Sequence, residues 1–206
     1  MSAYRIHVLF EGYSTLQEHV QIANCTCTLI TGQKNVIVDT MTPWDGARIF
    51  EALRVRSLKC EDIDYVVSTH GHADHVGNNN LFLNATHIVG TCIFKCDKFY
   101  NYDFDGGNPY PLDGGSVCVF ATPGHTLDHV SVLVRTEDLG VVVVAGDLFE
   151  KEEDVFNPEI WKASGSADQC LQVQHRNKVL LESDYIIPGH GPMFKVTEGM
   201  RDTVKN

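Results

Sequence analysis

The sequence predicts an α/β fold in which helices cover layers of β-sheet. Three observations predict it: short apolar strand-like segments recur along the chain, helical spacing appears between them, and most strand candidates are apolar at nearly every position. Strands that are apolar on both faces need cover on both sides, which the helices can supply. The 206 residues contain no repeat or Pro/Gly-rich linker, so we expect a single domain over residues 1–206.

The strand and helix candidates follow one another in a regular order. Residues 4–13 and 20–31 are expected to form the two arms of an N-terminal hairpin, followed by a strand at 35–40. Apolar residues at helical spacing predict helices over 44–56 and 167–181. Before a short C-terminal tail, further strands are expected at 64–69, 86–90, 116–122, 129–135, 140–146 and 184–188.

Composition and charge disfavour several classes of protein. The longest apolar runs, such as "VVVVA" at 141–145, are far shorter than the roughly 18 residues of a membrane span, so no membrane association is expected. Seven cysteines without a C-x-x-C pair indicate reduced, mostly buried thiols, which predicts a cytoplasmic protein that could also enter the nucleus. The formal net charge of -11 disfavours broad binding to phosphate backbones, which depends on Lys and Arg.

One motif carries most of the chemical information. Residues 66–77 read "VVSTHGHADHVG", an apolar run followed by His70, His72, Asp74 and His75. Two histidines at positions i and i+2 of an extended loop point to the same side, so His70 and His72 can reach one ion. Asp74 and His75 continue the loop and can face a second ion.

Four more polar residues follow apolar runs in the same way: Asp39 after "VIV", His125 after "VFATPG", Asp147 after "VVVVAG" and His190 after "YIIPG". If these strands have similar polarity, their ends meet at one edge of the fold. His125 is then expected to complete the first metal site, His190 to join the second, and Asp147 to bridge the two.

Such a site has a known chemistry. In two-metal sites the ions lie roughly 3.5 to 4 Å apart, and a water held between them can lose a proton near neutral pH and act as a hydroxide nucleophile. Asp74 and Asp147 are therefore the candidate catalytic residues. The ligand types fit two divalent metal ions, with zinc first and iron or manganese also accommodated. The remaining histidines are interpreted as structural: His7, His19, His87, His129 and His175.

These motifs resemble those of a known family. "THGHADHVG" resembles the H-x-H-x-D-H signature of the metallo-β-lactamase superfamily, and "TPGHT", "AGD" and "PGHG" resemble its later ligand motifs in the expected order. The stretches "THGHADHVGNNNLF", "VVVVAGDLFE" and "PGHGPMF" are most similar to the metallo-β-lactamase domain-containing protein 1 family. The resemblance implies an αββα sandwich. It also implies one metal bound by His70, His72 and His125, a second bound by Asp74, His75 and His190, and Asp147 between them.

One position departs from the superfamily pattern. A glycine often follows the strand-end "DT", whereas here Met41 follows Asp39 and Thr40. The resemblance therefore does not define the conformation of this turn. We interpret Asp39 as a residue that orients a ligand rather than binding metal.

The resemblance also implies a substrate and a partner. The family is associated with endonucleolytic processing of replication-dependent histone pre-mRNA and forms homodimers, so RNA phosphodiesters and a homodimer are the expectation. The acidic charge and the lack of a basic tract stand against RNA. One alternative is a glyoxalase II-like thioester hydrolase acting on a small molecule, since the same chemistry serves both. The other is a catalytically silent metal-binding scaffold, against which the intact ligand set speaks.

Two further segments carry hypotheses. Residues 94–110 are rich in aromatic residues, which could stack on nucleic-acid bases, but packing or dimerisation is favoured. Residues 148–165 are polar and irregular, and by position they are expected to overhang the metals.

Overall fold

The structure, a computed structural model, describes residues 4–205, so the ends of the expected 1–206 domain lie outside it. The strands are β1 (Arg5–Phe10), β2 (Tyr13–Gln17), β3 (Val20–Asn24), β4 (Cys27–Thr31), β5 (Val36–Val38), β6 (Tyr65–Ser68), β7 (Thr86–Val89), β8 (Cys92–Lys95), β9 (Lys98–Tyr100), β10 (Tyr110–Asp113), β11 (Val117–Ala121), β12 (Val130–Arg135), β13 (Val141–Gly146), β14 (Tyr185–Pro188) and β15 (Phe194–Lys195). The helices are α1 (Gly46–Val55), α2 (Ala73–Val76), α3 (Glu159–Ala163), α4 (Gln169–Glu182) and α5 (Glu198–Lys205). Short 3-10 turns lie at Pro43–Asp45, Cys60–Asp62, Asn79–Leu81 and Glu152–Val155.

The strands form two large sheets and one small ribbon. The first sheet has the order β1-β4-β5-β6-β7-β8-β9, the second has β10-β11-β12-β13-β14-β15, and β2 and β3 pair separately. Parallel pairs lie inside both large sheets, β5–β6–β7 in the first and β13–β14 in the second. Because parallel neighbours end at the same edge, the segments that follow these strands leave each sheet together.

Successive side chains of a strand point to opposite faces of its sheet, and this alternation divides the buried apolar residues into separate cores. In β5, Val36 and Val38 face the second sheet, whereas Ile37 packs with Ile49 and Leu53 of α1. β13 shows the same alternation, with one face toward the first sheet and the other toward α4 and α5. Each such buried side chain contributes about 1.5 to 3 kcal/mol. The resulting layers are helix, sheet, sheet and helix, which confirms the predicted αββα arrangement.

The N-terminal segment differs from the single hairpin that we expected. β1 pairs with β4, while β2 and β3 leave the sheet as their own ribbon. Gly12 marks the point of departure, because a Cβ there would lie 2.3 Å from the Gly189 carbonyl oxygen and 2.5 Å from the Thr26 nitrogen. The chain therefore turns where it contacts the loop before His190, and the ribbon projects beside that loop.

The C-terminal tail is ordered, which the sequence reading missed. β15 pairs with β14. α5 packs against α4, and Met200 is buried in the apolar core between β13 and these two helices. The helix expected at 167–181 is present as α4, and the Asp168 side chain caps it by accepting a hydrogen bond from the Leu171 backbone nitrogen.

The aromatic segment packs mainly on itself. Phe104 is buried in the core between the sheets, and Tyr102 contacts Phe104 and Tyr110 at ring distances of 5.0 and 4.9 Å. Phe94 stacks on Phe99, which stays 70% exposed on β9. Packing, the favoured interpretation, accounts for most of these rings.

The cysteines are free thiols as expected, but fewer are buried than we expected. Cys25, Cys27 and Cys60 are buried, whereas Cys92, Cys96 and Cys170 are exposed and Cys118 is half-buried. None of the helices in residues 4–205 combines the length and apolar character that a membrane crossing requires.

Candidate metal centre

The predicted ligands converge at the shared edge of the two sheets. The loop after β6 carries His70 and His72, and the adjoining α2 carries Asp74 and His75. The other three follow β11, β13 and β14. The ligand atoms form two groups, each with its atoms within 4.8 Å of one another: His70, His72, His125 and Asp147 in the first, and Asp74, His75 and His190 in the second.

The carboxylate of Asp147 touches both groups. Its Oδ2 atom lies 3.6 Å from His70 Nε2, 3.4 Å from His125 Nε2 and 3.3 Å from His190 Nε2. Its Oδ1 atom lies 3.2 Å from His75 Nε2. A single side chain therefore spans the two halves of the site.

The remaining ligand atoms complete the two groups. His72 Nδ1 lies 2.8 Å from His70 Nε2 and 3.1 Å from His125 Nε2. Asp74 Oδ2 lies 3.9 Å from His75 Nε2 and 3.8 Å from His190 Nε2. Atoms this close can share a cation between them.

Two glycines make room for the central carboxylate. Gly146 has a φ of +52°, and a Cβ there would lie 2.4 Å from Thr69 Oγ1. A Cβ on Gly189 would lie within 1.9 Å of Asp147 Oδ1. At both positions any larger residue would displace a side chain of the site.

Backbone carbonyls fix the tautomers of two histidines. His125 Nδ1 donates to the Gly165 carbonyl at 3.0 Å, and His190 Nδ1 donates to the Asn24 carbonyl at 3.1 Å. Because a carbonyl oxygen only accepts, these Nδ1 atoms carry the hydrogen. The Nε2 lone pair of each ring is then directed to the centre, as metal ligation requires.

Asp39 and Thr69 do the same for the other two buried rings. Asp39 Oδ2 lies 2.9 Å from His75 Nδ1, and its Oδ1 accepts from the Thr69 backbone nitrogen at 2.7 Å. The Thr69 hydroxyl donates to Asp39 Oδ2 at 3.0 Å, which leaves its oxygen to accept from His70 Nδ1 at 3.1 Å. Sequence reasoning missed Thr69, although it directly precedes His70.

The loop that carries Asp39 has an unusual backbone. Asp39 and Met41 have φ values of +57° and +59°, in the left-handed region that favours glycine. This conformation costs roughly 1 to 2 kcal/mol per residue. It is held by hydrogen bonds from the Asp39 nitrogen to the Val67 carbonyl and from the Gly77 nitrogen to the Met41 carbonyl. Burial of the Met41 side chain offsets part of the cost where the superfamily often has glycine.

The site brings buried carboxylates and imidazoles close together, so each group shifts the pKa of the others. Burial alone would lower the pKa of His75, but the carboxylates of Asp147 and Asp39 raise it well above its ordinary value. Burial also opposes charge on His190, and Asp147 nevertheless raises its pKa to about 9. Burial would raise the pKa of Asp147, but His75, His190 and His70 hold it well below the usual range. The centre thus favours an ionised carboxylate with positive charge around it.

His129 lies behind the site rather than in it. Its ring stacks on His70 at 5.3 Å, and its Nδ1 hydrogen-bonds with the Thr122 hydroxyl at 2.9 Å. Burial lowers the pKa of His129 to about 3, so the ring is neutral. It packs and hydrogen-bonds, which is the structural role that we expected.

The structure adds Glu150, which the sequence reading did not single out. Its side chain is only 3% exposed, and a carboxylate oxygen lies within 4.8 Å of ligand atoms of Asp147 and His190. Its Oε1 atom has no hydrogen-bond partner among the described residues. Burial, followed by the nearby Asp147 charge, raises the pKa of Glu150 to about 8.

A buried ion pair fixes the loop that carries Asp147 and Glu150. Arg176 of α4 forms two contacts with the Asp154 carboxylate, at 2.5 and 3.2 Å, and donates to the Leu148 carbonyl at 2.7 Å. The Asp154 carboxylate also accepts from the Glu150 backbone nitrogen at 2.6 Å. No motif distinguishes Arg176 or Asp154 in the sequence, because their partners are mainly backbone groups.

An open pocket of about 450 Å³ leads to the ligands. Gln21 and Ala23 of the β2–β3 ribbon form one wall, and Trp44, 88% exposed, lies at the rim. Glu150 and Ser164 also line it, so the 148–165 segment reaches the site as predicted. That segment is more ordered than expected, since it contains α3. The lining residues within the described part of the chain include no Lys or Arg.

The central atoms fit divalent cations. His75 Nε2 and Asp147 Oδ1 are buried, and in residues 4–205 neither has a hydrogen-bond partner, although they lie 3.2 Å apart. Unsatisfied buried polar atoms are costly, and a bound cation would satisfy both. Imidazole nitrogens with carboxylate oxygens are the donors that zinc and related ions take.

Comparison with known proteins agrees with this geometry. The family profile described as "Metallo-beta-lactamase superfamily" matches residues 22–93. A solved structure of the metallo-β-lactamase FIM-1 from Pseudomonas aeruginosa, in its mono-zinc form, is 18% identical with a TM-score of 0.61, covering 98% of this chain and 91% of that one. An N-acyl homoserine lactone hydrolase, with a product bound at its catalytic metal center, is 17% identical with a TM-score of 0.63, covering 93% of this chain and 94% of that one. The fold and site therefore define a hydrolase of the metallo-β-lactamase superfamily with candidate metal-binding residues.

Two relatives narrow the assignment. Metallo-beta-lactamase domain-containing protein 1 of Xenopus laevis is 42% identical over 95% of this chain and 83% of its own length. Its namesake in Homo sapiens is 39% identical over 78% of this chain, and the match spans 59% of the human protein. The chain belongs to the metallo-β-lactamase domain-containing protein 1 family.

Proposed function

We propose that this chain is a dinuclear metal-dependent hydrolase. The observation that supports it is the Asp147 carboxylate, which contacts histidines of both ligand groups. One cation would be held by His70, His72, His125 and Asp147, and the other by Asp74, His75, His190 and Asp147. When bound, two divalent cations supply an activated water near neutral pH and polarise the oxygen of the scissile group.

The chain itself orders this site. Asp39, Thr69 and the carbonyls of Asn24 and Gly165 hold four imidazole rings in the tautomer that presents Nε2. Preorganised ligands keep the geometry without a reorganisation cost at the moment of reaction. The intact set also argues against a silent scaffold.

Metal analysis combined with one substitution tests the proposal. We expect the purified protein to hold two divalent ions per chain, and Asp147→Asn to lose at least about 100-fold in activity on every substrate, because it weakens the shared ligand. Asp138→Asn, at an exposed turn, is the matched control and should behave as wild type. Full turnover by Asp147→Asn would show that the bridging role is wrong.

For the substrate, we propose single-stranded RNA, in line with the family resemblance. The exposed indole of Trp44 at the pocket rim supports this, since aromatic side chains stack on bases at about 1 to 3 kcal/mol each. With no Lys or Arg among the described lining residues, binding would depend on the cations and on stacking. Trp44→Ala should then raise KM for RNA about tenfold, whereas Trp44→Phe should change it little.

A second candidate is an uncharged ester, lactone or thioester. The lack of Lys and Arg among the described lining residues favours it, because the pocket has no cationic side chain to hold a phosphate backbone. A panel of RNA, a lactone and a glutathione thioester, each assayed at low and high salt, separates the two. RNA cleavage should weaken modestly with salt, because only the bound cations would neutralise phosphates, whereas turnover of a neutral ester should not change. If the protein hydrolysed an ester or thioester but left RNA uncleaved, the RNA proposal would be wrong.

We also propose a homodimer in the cytoplasm or nucleus. The edge strand β9 exposes Phe99 and Tyr100, apolar rings of the kind enriched at interfaces. The free thiols suit a reducing compartment. Light scattering on the purified protein would test the dimer, and a monomer at micromolar concentration would contradict it.

A further inference from the structure

Glu150 is a buried carboxylate, and the seven predicted metal ligands do not explain its position. It lies three residues after Asp147 and is 3% exposed at the inner wall of the pocket. One of its oxygens falls within 4.8 Å of ligand atoms of Asp147 and His190, so these three residues form a further group able to hold a metal ion. Its Oε1 atom finds no hydrogen-bond partner in the described residues.

The backbone of Glu150 is fixed from both sides. Its nitrogen donates to Asp154 Oδ2 at 2.6 Å, and its carbonyl accepts from the His190 nitrogen at 2.9 Å. Asp154 is itself paired with Arg176. The backbone of Glu150 is therefore held at the site by a rigid frame. Ser164 hydrogen-bonds to its carboxylate, but the buried Oε1 atom has no partner in the described residues, and such an atom is costly unless it meets a cation.

Adding Glu150 makes the two metal positions chemically unlike. The first position has three imidazole nitrogens and the Asp147 carboxylate. The second has the imidazole nitrogens of His75 and His190 with the carboxylates of Asp74 and Asp147. Glu150, which groups with Asp147 and His190, would add a third carboxylate. Oxygen donors suit hard ions such as Mn²⁺, whereas nitrogen-rich sets suit zinc.

We propose that Glu150 is an additional ligand of the second cation and that it shifts this position toward hard divalent ions. The inference rests on the dinuclear function proposed above, and it deepens that function by assigning a metal preference to one of the two positions.

Metal binding by Glu150→Gln tests it directly. The protein is stripped with a chelator, loaded with one equivalent of Zn²⁺ and titrated with Mn²⁺ while electron paramagnetic resonance reports free Mn²⁺. A parallel titration adds a second equivalent of Zn²⁺ in competition with a chromogenic chelator. Glu153→Gln is the matched control, since Glu153 is an exposed carboxylate of the same loop. Circular dichroism and thermal unfolding verify the fold of each variant, and Glu150→Asp serves if Glu150→Gln does not fold.

We expect Glu150→Gln to weaken Mn²⁺ binding by about 10- to 100-fold, to weaken the second Zn²⁺ less, and to leave the first Zn²⁺ in place. Glu150→Asp, with a shorter reach, should give an intermediate loss, and Glu153→Gln should match wild type. Mn²⁺ binding by Glu150→Gln within twofold of wild type would overturn the inference and leave the proposed function standing. Equal losses for Mn²⁺ and Zn²⁺ would overturn the metal preference. A wild-type protein that takes up no second cation would overturn the inference and the dinuclear function together.

Discussion

The two sides of the site hold their ligands by different means. Beside β5 and β6, the side chains of Asp39 and Thr69 bond directly to the rings of His75 and His70. Beside β13 and β14, the Arg176–Asp154 pair acts on backbone groups of the loop and contacts no predicted ligand side chain. The first arrangement orients individual rings, so its loss should appear in metal affinity. The second fixes a whole loop, so its loss should appear first in stability.

The largest expected effect comes from breaking the buried pair. Arg176→Met leaves the Asp154 carboxylate buried without a cation and should lower the free energy of unfolding by about 3 to 5 kcal/mol. It also removes the guanidinium that lies 4.1 Å from the Phe149 ring. Urea denaturation measures the change.

The matched control is Arg54→Met. This arginine pairs with Glu51 at 2.7 Å on the surface of α1, where solvent screens the attraction, so Arg54→Met should leave stability nearly unchanged. If Arg176→Met cost no more than Arg54→Met, the buried pair would not be the element that fixes the loop.

A smaller effect on stability, but a direct effect on metal, is expected from Asp39→Asn. The amide keeps the shape of the side chain but loses the charge that faces His75 Nδ1, so metal affinity should fall about 10- to 100-fold. Competition with a chromogenic chelator measures it, with Asp138→Asn as control. A variant that loses more stability than Arg176→Met while keeping its metal affinity would reverse the comparison.

The smallest effect is expected at Thr69. Thr69→Val removes the acceptor for His70 Nδ1 but leaves Asp39 in contact with His75, so we expect a loss near 10-fold in metal affinity. Thr69→Ser retains the hydroxyl and should bind metal like wild type. Equal behaviour of the Val and Ser variants would show that this hydroxyl does not orient the ring.

The contrast between the ligand residues and the residues that hold them in place explains which parts of the site the sequence could predict. His70, His72, Asp74 and His75 fall within six positions, so one loop displays the pattern. The sequence also revealed Asp39, His125, Asp147 and His190, because each follows an apolar strand and parallel strands end at one edge of a sheet. The helix-covered sheets followed from strands that are apolar at nearly every position, and the αββα order from the family resemblance.

Other parts carry no such local signal. Arg176 lies in the middle of a helix, where an arginine is ordinarily solvent-exposed, and only the tertiary fold places its guanidinium against Asp154. Glu150 follows Asp147 in a segment of mixed charge, and only the tertiary fold brings it beside the His190 loop and Ser164. The separation of β2 and β3 from the first sheet begins at Gly12, where a Cβ would collide with the Gly189 carbonyl, 177 positions further along the chain (189 − 12).

The contacts between the N-terminal segment and the His190 loop have a consequence for how the site is made. His190 Nδ1 bonds to the Asn24 carbonyl across 166 residues, and the Thr26 hydroxyl donates to the Gly191 carbonyl across 165. Closing so long a loop has a large entropic cost before either contact forms. A chain in which the 24–26 segment has not yet met the 190–191 loop cannot orient this last imidazole. Completion of the centre thus requires two segments far apart in the chain to have come together.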